Sequence, residues 1–149
     1  MEASVTQGLA LEEIEVGQSA ERSHTVSEAD LQAFADVSGD HNPVHLDEAY
    51  AATTVFKGRI AHGMLSAAYI SATIAGDLPG PGSVYISQSL SFRRPVRIGD
   101  TVLTQVTVTA IDTEKARVTL KTQCLVNGKA VIEGEAVVMV PRLADRNPA

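Results

Sequence analysis

The sequence predicts an α+β fold in which an antiparallel sheet curls around one slim apolar helix, and three observations lead there. The segment from Gly63 to Gly76 has the length of a helix and is apolar or small on every side. The chain beyond it alternates apolar and polar residues with a period of two. Tight-turn dipeptides separate those alternating runs. The 149 residues suit one domain, read as 1–149, with a short flexible tail from about residue 142.

The elements follow in chain order. Ser27 precedes EADLQAFADVSG, where Leu31, Phe34, Ala35 and Val37 fall at helical spacing and Gly39 supplies a stop. Pro43 disfavours helix at Asn42, while Asp47 can cap a second short helix through EAYAAT. Residues 39–46 are therefore expected to be a loop. In the segment 63–76, Ala67, Ala68, Ala72 and Ala75 with Ser66 and Ser71 keep the helix narrow, which suits close enclosure by other backbone. Strands are expected over about 83–92, 101–111, 116–126 and 130–140. The third is the clearest, with Val118, Leu120, Cys124 and Val126 opposite Arg117, Thr119, Lys121 and Gln123. Asn127-Gly128 reads as a hairpin turn, and Ile98-Gly99-Asp100 does similar work earlier. One sheet alone would leave the helix partly uncovered, and pairing of two chains is one natural remedy.

Composition narrows the partners. The 12 Lys and Arg against 18 Asp and Glu give a net charge of -6, which disfavours nucleic acid and anionic membranes. An anionic ligand would need a local basic patch. The N-terminal MEASVTQGLALEEIEVGQ has no sustained apolar run and resembles neither a secretory signal nor a membrane anchor, so a cytoplasmic protein is expected. The lone Cys124 sits within an alternating strand pattern and reads as a core thiol.

Chemistry concentrates in Ser38-Gly39-Asp40-His41-Asn42-Pro43-Val44-His45. An Asp and a His brought together can hold a water, the imidazole taking one proton while the carboxyl group handles another. The same residues also permit a structural reading, with Asp40 capping a turn, Asn42 making an Asx-type bond and His45 a satisfied polar side chain. A third reading places zinc or iron on His41, His45 and Asp40 or Asp47, but Pro43 keeps His41 and His45 off one helical face. At Ala61-His62-Gly63-Met64, Gly63 opens the apolar helix, so its N–H can meet an oxyanion or its lack of a side chain can simply allow close packing. Arg93, Arg94 and Arg97 form the densest basic cluster, either a phosphate site or a solvated rim, with Lys57 and Arg59 as possible neighbours. Ser71 lies two helical turns beyond Gly63 and can face the same cavity or serve packing. His24, Tyr69 and Tyr85 read as strand or core residues.

The stretch FADVSGDHNPVHLDEAYA, with IAHGM, SVYISQSLSFRRPVRIGD and EGEAVVMVP in the same order, resembles the MaoC-like hydratases over most of the chain. The resemblance implies a hot-dog fold and a homodimer. It implies reversible, cofactor-free and metal-independent hydration of trans-2-enoyl-CoA to (R)-3-hydroxyacyl-CoA, on short acyl chains, an activity that can supply polyester synthesis from fatty-acid oxidation. By residue matching, Asp40 and His45 would be the catalytic pair, Gly63 the oxyanion N–H, Asn42 a support of the loop, and Ser71 a wall of the pocket. Met64 and Leu65, with Tyr69 and Val131, would set the depth of the acyl tunnel, and Arg93 and Arg94 would meet the coenzyme. The rival readings are a 3-hydroxyacyl-ACP or CoA dehydratase, a hot-dog thioesterase, and an acyl-thioester binding module without turnover.

Overall fold

The computed structural model describes residues 7–146. The first helix, α1 (Glu28–Ser38), starts with a reciprocal cap: Asp30 N–H donates to Ser27 Oγ at 3.1 Å and Ser27 N–H to Asp30 Oδ2 at 2.9 Å. Gly39 ends it at φ +80°, a left-handed conformation that glycine adopts without steric cost. A four-residue helix, α2 (Pro43–Leu46), then occupies part of the expected loop. Proline is compatible there because it stands in the first turn, where its missing N–H would have had no intrahelical acceptor. Asp47 caps α3 (Glu48–Ala52) through Tyr50 N–H at 3.1 Å.

The long helix α4 (Gly63–Gly76) buries Leu65, Ser66, Ile70, Thr73 and Ile74. It is covered on one side only. Met64, Ala68, Ala72 and Ala75 are exposed, because one sheet of this chain cannot reach around the whole helix. No described helix is long and apolar enough to cross a membrane.

Six antiparallel strands make the sheet: β1 (Ser19–Thr25), β2 (Val84–Gln88), β3 (Ser91–Phe92), β4 (Thr101–Asp112), β5 (Arg117–Val126) and β6 (Lys129–Met139). Their order is β1-β4-β5-β6-β2, with β3 also on β6. Asn127 at φ 51° and Gly128 at φ 77° join β5 to β6, two consecutive positive values that match the right-handed twist of a tight hairpin. Val102, Val106 and Val108 of β4 and Val118, Leu120 and Cys124 of β5 face the core beneath α4. The Cys124 thiol is held between Thr104 Oγ1 at 3.5 Å and the Ser66 carbonyl at 3.6 Å, and burial pushes its pKa up.

Three further expectations change. The strand β1 is absent from the sequence reading because SAERSHT has no apolar alternation; it is an edge strand recruited by backbone pairing to β4. The expected strand over 83–92 breaks at Ser89–Leu90, although Gln88–Ala136 and Ser91–Glu133 keep one register. Opposite the break is Gly134, where a Cβ would fall on the Ser89 carbonyl oxygen. The tail is anchored as far as residue 146: Leu143 N–H donates to Glu12 at 2.9 Å and Arg146 pairs with Glu13 at 2.6 Å. The rest of the expected tail, 147–149, and the start of the N-terminal stretch, 1–6, lie outside the described residues.

The Gly134 contact predicts that Gly134→Ala destabilises the protein by roughly 1–3 kcal/mol through overpacking against backbone. Urea unfolding compared with the wild type measures it, and an unchanged midpoint would contradict the tight crossing.

Candidate active site

The loop after α1 is built by short-range side-chain bonds. Asp40 N–H donates to Ser38 Oγ at 3.1 Å, Asn42 N–H to Asp40 Oδ1 at 3.2 Å, and Val44 N–H to Asn42 Oδ1 at 3.2 Å. Asp40 and Asn42 thus do the turn-forming work that their residue types favour, and Asn42 is also the cap of α2. Asp40 nevertheless keeps Oδ2 outside this set. From α2, His45 reaches inward and is 9% exposed. Arg59 secures it from behind, its Nε donating to the His45 carbonyl at 2.7 Å and its Nη1 to Glu28 at 2.7 Å.

Hydrogen bonds to carbonyls decide where the ring protons sit. His45 Nδ1 lies 2.8 Å from the Ile60 carbonyl, an acceptor only, so Nδ1 carries the proton and Nε2 keeps its lone pair. Burial pushes the His45 pKa below the ordinary imidazole value; the Ile60 carbonyl opposes this, His62 adds to the lowering, and Asp40 opposes it. His62 Nε2 lies 3.0 Å from the Asp40 carbonyl and so carries its own proton. The two imidazoles stack with centroids 3.9 Å apart and planes 31° from parallel.

Donor atoms of Asp40, His45 and His62 lie within 4.8 Å of one another. Two hydrogen bonds of about 2.8 Å meeting at the bent angle of one water span roughly 4.5 Å, a separation of the size found between Asp40 and His45. The carbonyl bonds of His45 Nδ1 and His62 Nε2 leave one nitrogen of each ring, with the Asp40 carboxylate, as the donors this cluster could offer a metal. The other metal set considered from sequence does not form: His41 is turned to Asp36 at 3.4 Å, and Asp47 is occupied as a helix cap.

A cavity of about 320 Å³ adjoins His45 and His62. Apolar Phe56, Ile60, Phe92, Val96 and Ile132 line it, with Gly63 and Ser66 from α4 and Arg93 and Arg94 near Phe92. Gly63 is the first residue of α4, so its N–H belongs to the unpaired, positive end of the helix. A side chain there would meet the Phe92 ring at 2.6 Å. Arg93 pairs loosely with Glu133 at 3.4 Å, and Arg94 donates to the Ala130 carbonyl at 2.9 Å. Arg97 instead donates to the Phe56 carbonyl and does not line the cavity.

Five residues expected at the pocket or its tunnel, Met64, Leu65, Tyr69, Ser71 and Val131, do not line this cavity. Met64 is 55% exposed, Leu65 is packed in the core, and neither lines this cavity. The reason is helical rotation: at 100° per residue the next side chain to return to the face of Gly63 is Ser66. Ser71 is about 12 Å further along the axis and is not part of the cavity wall of the single chain. His62 and Phe92 had no individual role in the sequence reading, where Ser66 only narrows the helix and Arg59 is only a possible neighbour of the basic cluster. The place of His62 beside Gly63 was the available signal; the others depend on tertiary packing.

The model of the MaoC like domain matches residues 10–134. This chain belongs to the MaoC-like family. Among its MaoC-like relatives, the (R)-specific enoyl-CoA hydratase of Rhodospirillum rubrum is 60% identical over 130 residues, covering 87% of this chain and 90% of that protein. The 3-hydroxybutyryl-CoA dehydratase of Methylorubrum extorquens is 46% identical over 140 residues, covering 94% and 89%. The unliganded R-hydratase PhaJ1 of Pseudomonas aeruginosa superposes with a TM-score of 0.86 at 50% identity, covering 95% of this chain and 96% of that one. The fold is accordingly the hot-dog fold of this family, an α+β architecture.

The environment of His45 predicts that it titrates below the ordinary imidazole value of about 6.5. Because the Asp40 carboxylate favours the imidazolium, Asp40→Asn should lower the His45 pKa further. A histidine-resolved NMR titration of both proteins measures the two values, and a rise in the variant would refute the assigned charges.

Proposed function

We propose that this MaoC-like protein is a cytoplasmic homodimeric enzyme that hydrates short-chain trans-2-enoyl-CoA to (R)-3-hydroxyacyl-CoA, with Asp40 and His45 as its catalytic pair. The observation that carries this reading is His45, its Nδ1 committed to the Ile60 carbonyl and its ring clustered with the Asp40 carboxylate, beside a cavity that ends at the N-terminus of α4. High identity to an (R)-specific enoyl-CoA hydratase supports the substrate class.

In this mechanism the enoyl group occupies the cavity with its thioester oxygen toward the Gly63 N–H. Asp40 and His45 hold a water over C3. As the water oxygen bonds to C3, His45 Nε2 takes a water proton, and the double-bond electrons move through C2 onto the thioester oxygen. The Gly63 N–H and the helix end stabilise that enolate charge, while the Asp40 carboxylate steadies the imidazolium. The enolate then reforms the carbonyl as C2 takes the proton back from His45. One site handles both additions from one face, which accounts for syn addition and a single product hand. Arg93 and Arg94, near the cavity, suit the phosphates of the coenzyme, and the small cavity suits a short acyl chain.

Microscopic reversibility lets the same groups dehydrate a 3-hydroxyacyl thioester, in keeping with the name of the Methylorubrum extorquens relative. The homodimer is supported by the exposed Val84 and Ile86 on the edge strand β2 and by the exposed side of α4, apolar surface that a second copy can cover.

Purified protein is expected to consume the enoyl absorbance of crotonyl-CoA and yield the (R)-alcohol. Asp40→Ala and His45→Ala should each lower kcat about 10²- to 10⁴-fold while the fold is retained by circular dichroism. Release of free thiol would point to a thioesterase, and binding without turnover to a carrier module. Arg94→Ala should raise KM for the CoA thioester with little effect on kcat. Light scattering should give twice the chain mass; a monomer that is fully active would overturn the dimer.

A further inference from the structure

His62 touches each part of the proposed hydration machinery. It is the N-cap residue of α4, immediately before Gly63, and is 2% exposed. Its Nε2–H donates to the Asp40 carbonyl, its ring stacks on His45, and Phe34 of α1 packs against it with centroids 4.9 Å apart. The main chain of Asp40 is otherwise held only from within its own loop, through Ser38 Oγ. His62 thus ties the Asp40 end of that loop to the helix end that meets the cavity, while Val44 and His45 tie its other end to Ile60.

The choice of an imidazole carries a cost. His62 Nδ1 is buried with no hydrogen-bond partner, and its side chain makes no capping bond to α4. Buried polar atoms left unpaired are uncommon and ask for a reason. A phenylalanine would fill the same space, stack on the same rings and leave no bare nitrogen. What the imidazole adds is the Nε2–H bond to Asp40 and a polar ring against His45.

We propose that His62 is a positioning residue for the hydration reaction, acting through Asp40 and His45 by anchoring the backbone of one and the ring plane of the other. The proposal rests on the hydratase reading. The bond to the Asp40 carbonyl sets how far the carboxylate stands from His45 Nε2, and the stacked ring keeps that nitrogen aimed at the shared water. The charged or titratable groups facing His45 are Asp40 from the loop, His62 from the start of α4, and Arg93 and Arg94 among the other cavity-lining residues; Arg59 meets only its backbone carbonyl. His62 opposes protonation of His45, so its removal lets His45 take a proton at higher pH.

The test compares pH–rate profiles on crotonyl-CoA for the wild type, His62→Phe and His62→Gln. His62→Phe keeps a stacked ring without the donor and should lose about 10- to 100-fold in kcat, the scale of a small misplacement of reacting groups. Its KM should stay within about twofold, because substrate binding is not what His62 supports. The acid limb of its kcat profile should move to higher pH. His62→Gln, which retains an N–H donor, should recover part of kcat while keeping the shifted limb. A folded His62→Phe with kcat near wild type, an effect confined to KM, or an unmoved acid limb overturns the proposal. Nitrogen-15 NMR of the wild type decides it independently should the variants not fold: His62 is expected in the Nε2–H form and His45 in the Nδ1–H form, and the opposite tautomer of His62 overturns it. A wild type that hydrates no enoyl-CoA would remove the hydratase reading, and the tautomer result would still decide the contact between His62 and Asp40.

Discussion

Packing of α4 against the sheet is the constraint on which the other features depend. Leu65, Ile70 and Ile74 enter the core with Val102, Val106, Val118 and Leu120, and this burial fixes both the depth and the rotation of the helix. Apolar side chains of this size contribute about 1.5–3 kcal/mol each on full burial, so the helix has little freedom to slide or turn. Its first turn consequently has a fixed place beside β3, where Phe92 closes over Gly63 and Arg93 and Arg94 follow. The end of the helix, the loop holding Asp40 and His45, and the basic pair meet because one rigid element positions them all.

Around that frame the site is tuned by main-chain groups. Two buried imidazoles lie against each other, and each donates to a carbonyl, so His45 needs no charge to hold its place. Desolvation reinforces the same state for His45. Burial near a second ring favours the unprotonated form, which the proposed role of His45 as base requires. The carboxylate of Asp40 remains exposed, where solvation keeps its charge inexpensive until substrate arrives.

How much of this was legible in the sequence differs by element. The helix α4 and the strands β4, β5 and β6 follow from periodicity and from Asn127-Gly128, signals that reside in neighbouring residues. The edge strand β1 was not legible, since its polar residues become a strand only when β4 offers a partner. The loop holding Asp40 and His45 was visible as a dense run of reactive side chains, but its short helix was obscured by treating Pro43 as a breaker instead of a first-turn residue. In the site, the proximity of Asp40 to His45 follows from a short separation along the chain. The contact with His62 does not, because it needs the loop to fold back over the start of α4. Met64 and Leu65 were misplaced by their nearness to Gly63 in sequence, which a helix converts into divergence in space.

Ile60 has two separate tasks. Its carbonyl sets the tautomer of His45, while its side chain forms part of the cavity wall. Every residue type offers the same carbonyl, so the contact that orients His45 does not depend on which side chain stands at position 60. On the proposed reading, a change of side chain at position 60 alters the room for the acyl group while the backbone still holds the His45 ring.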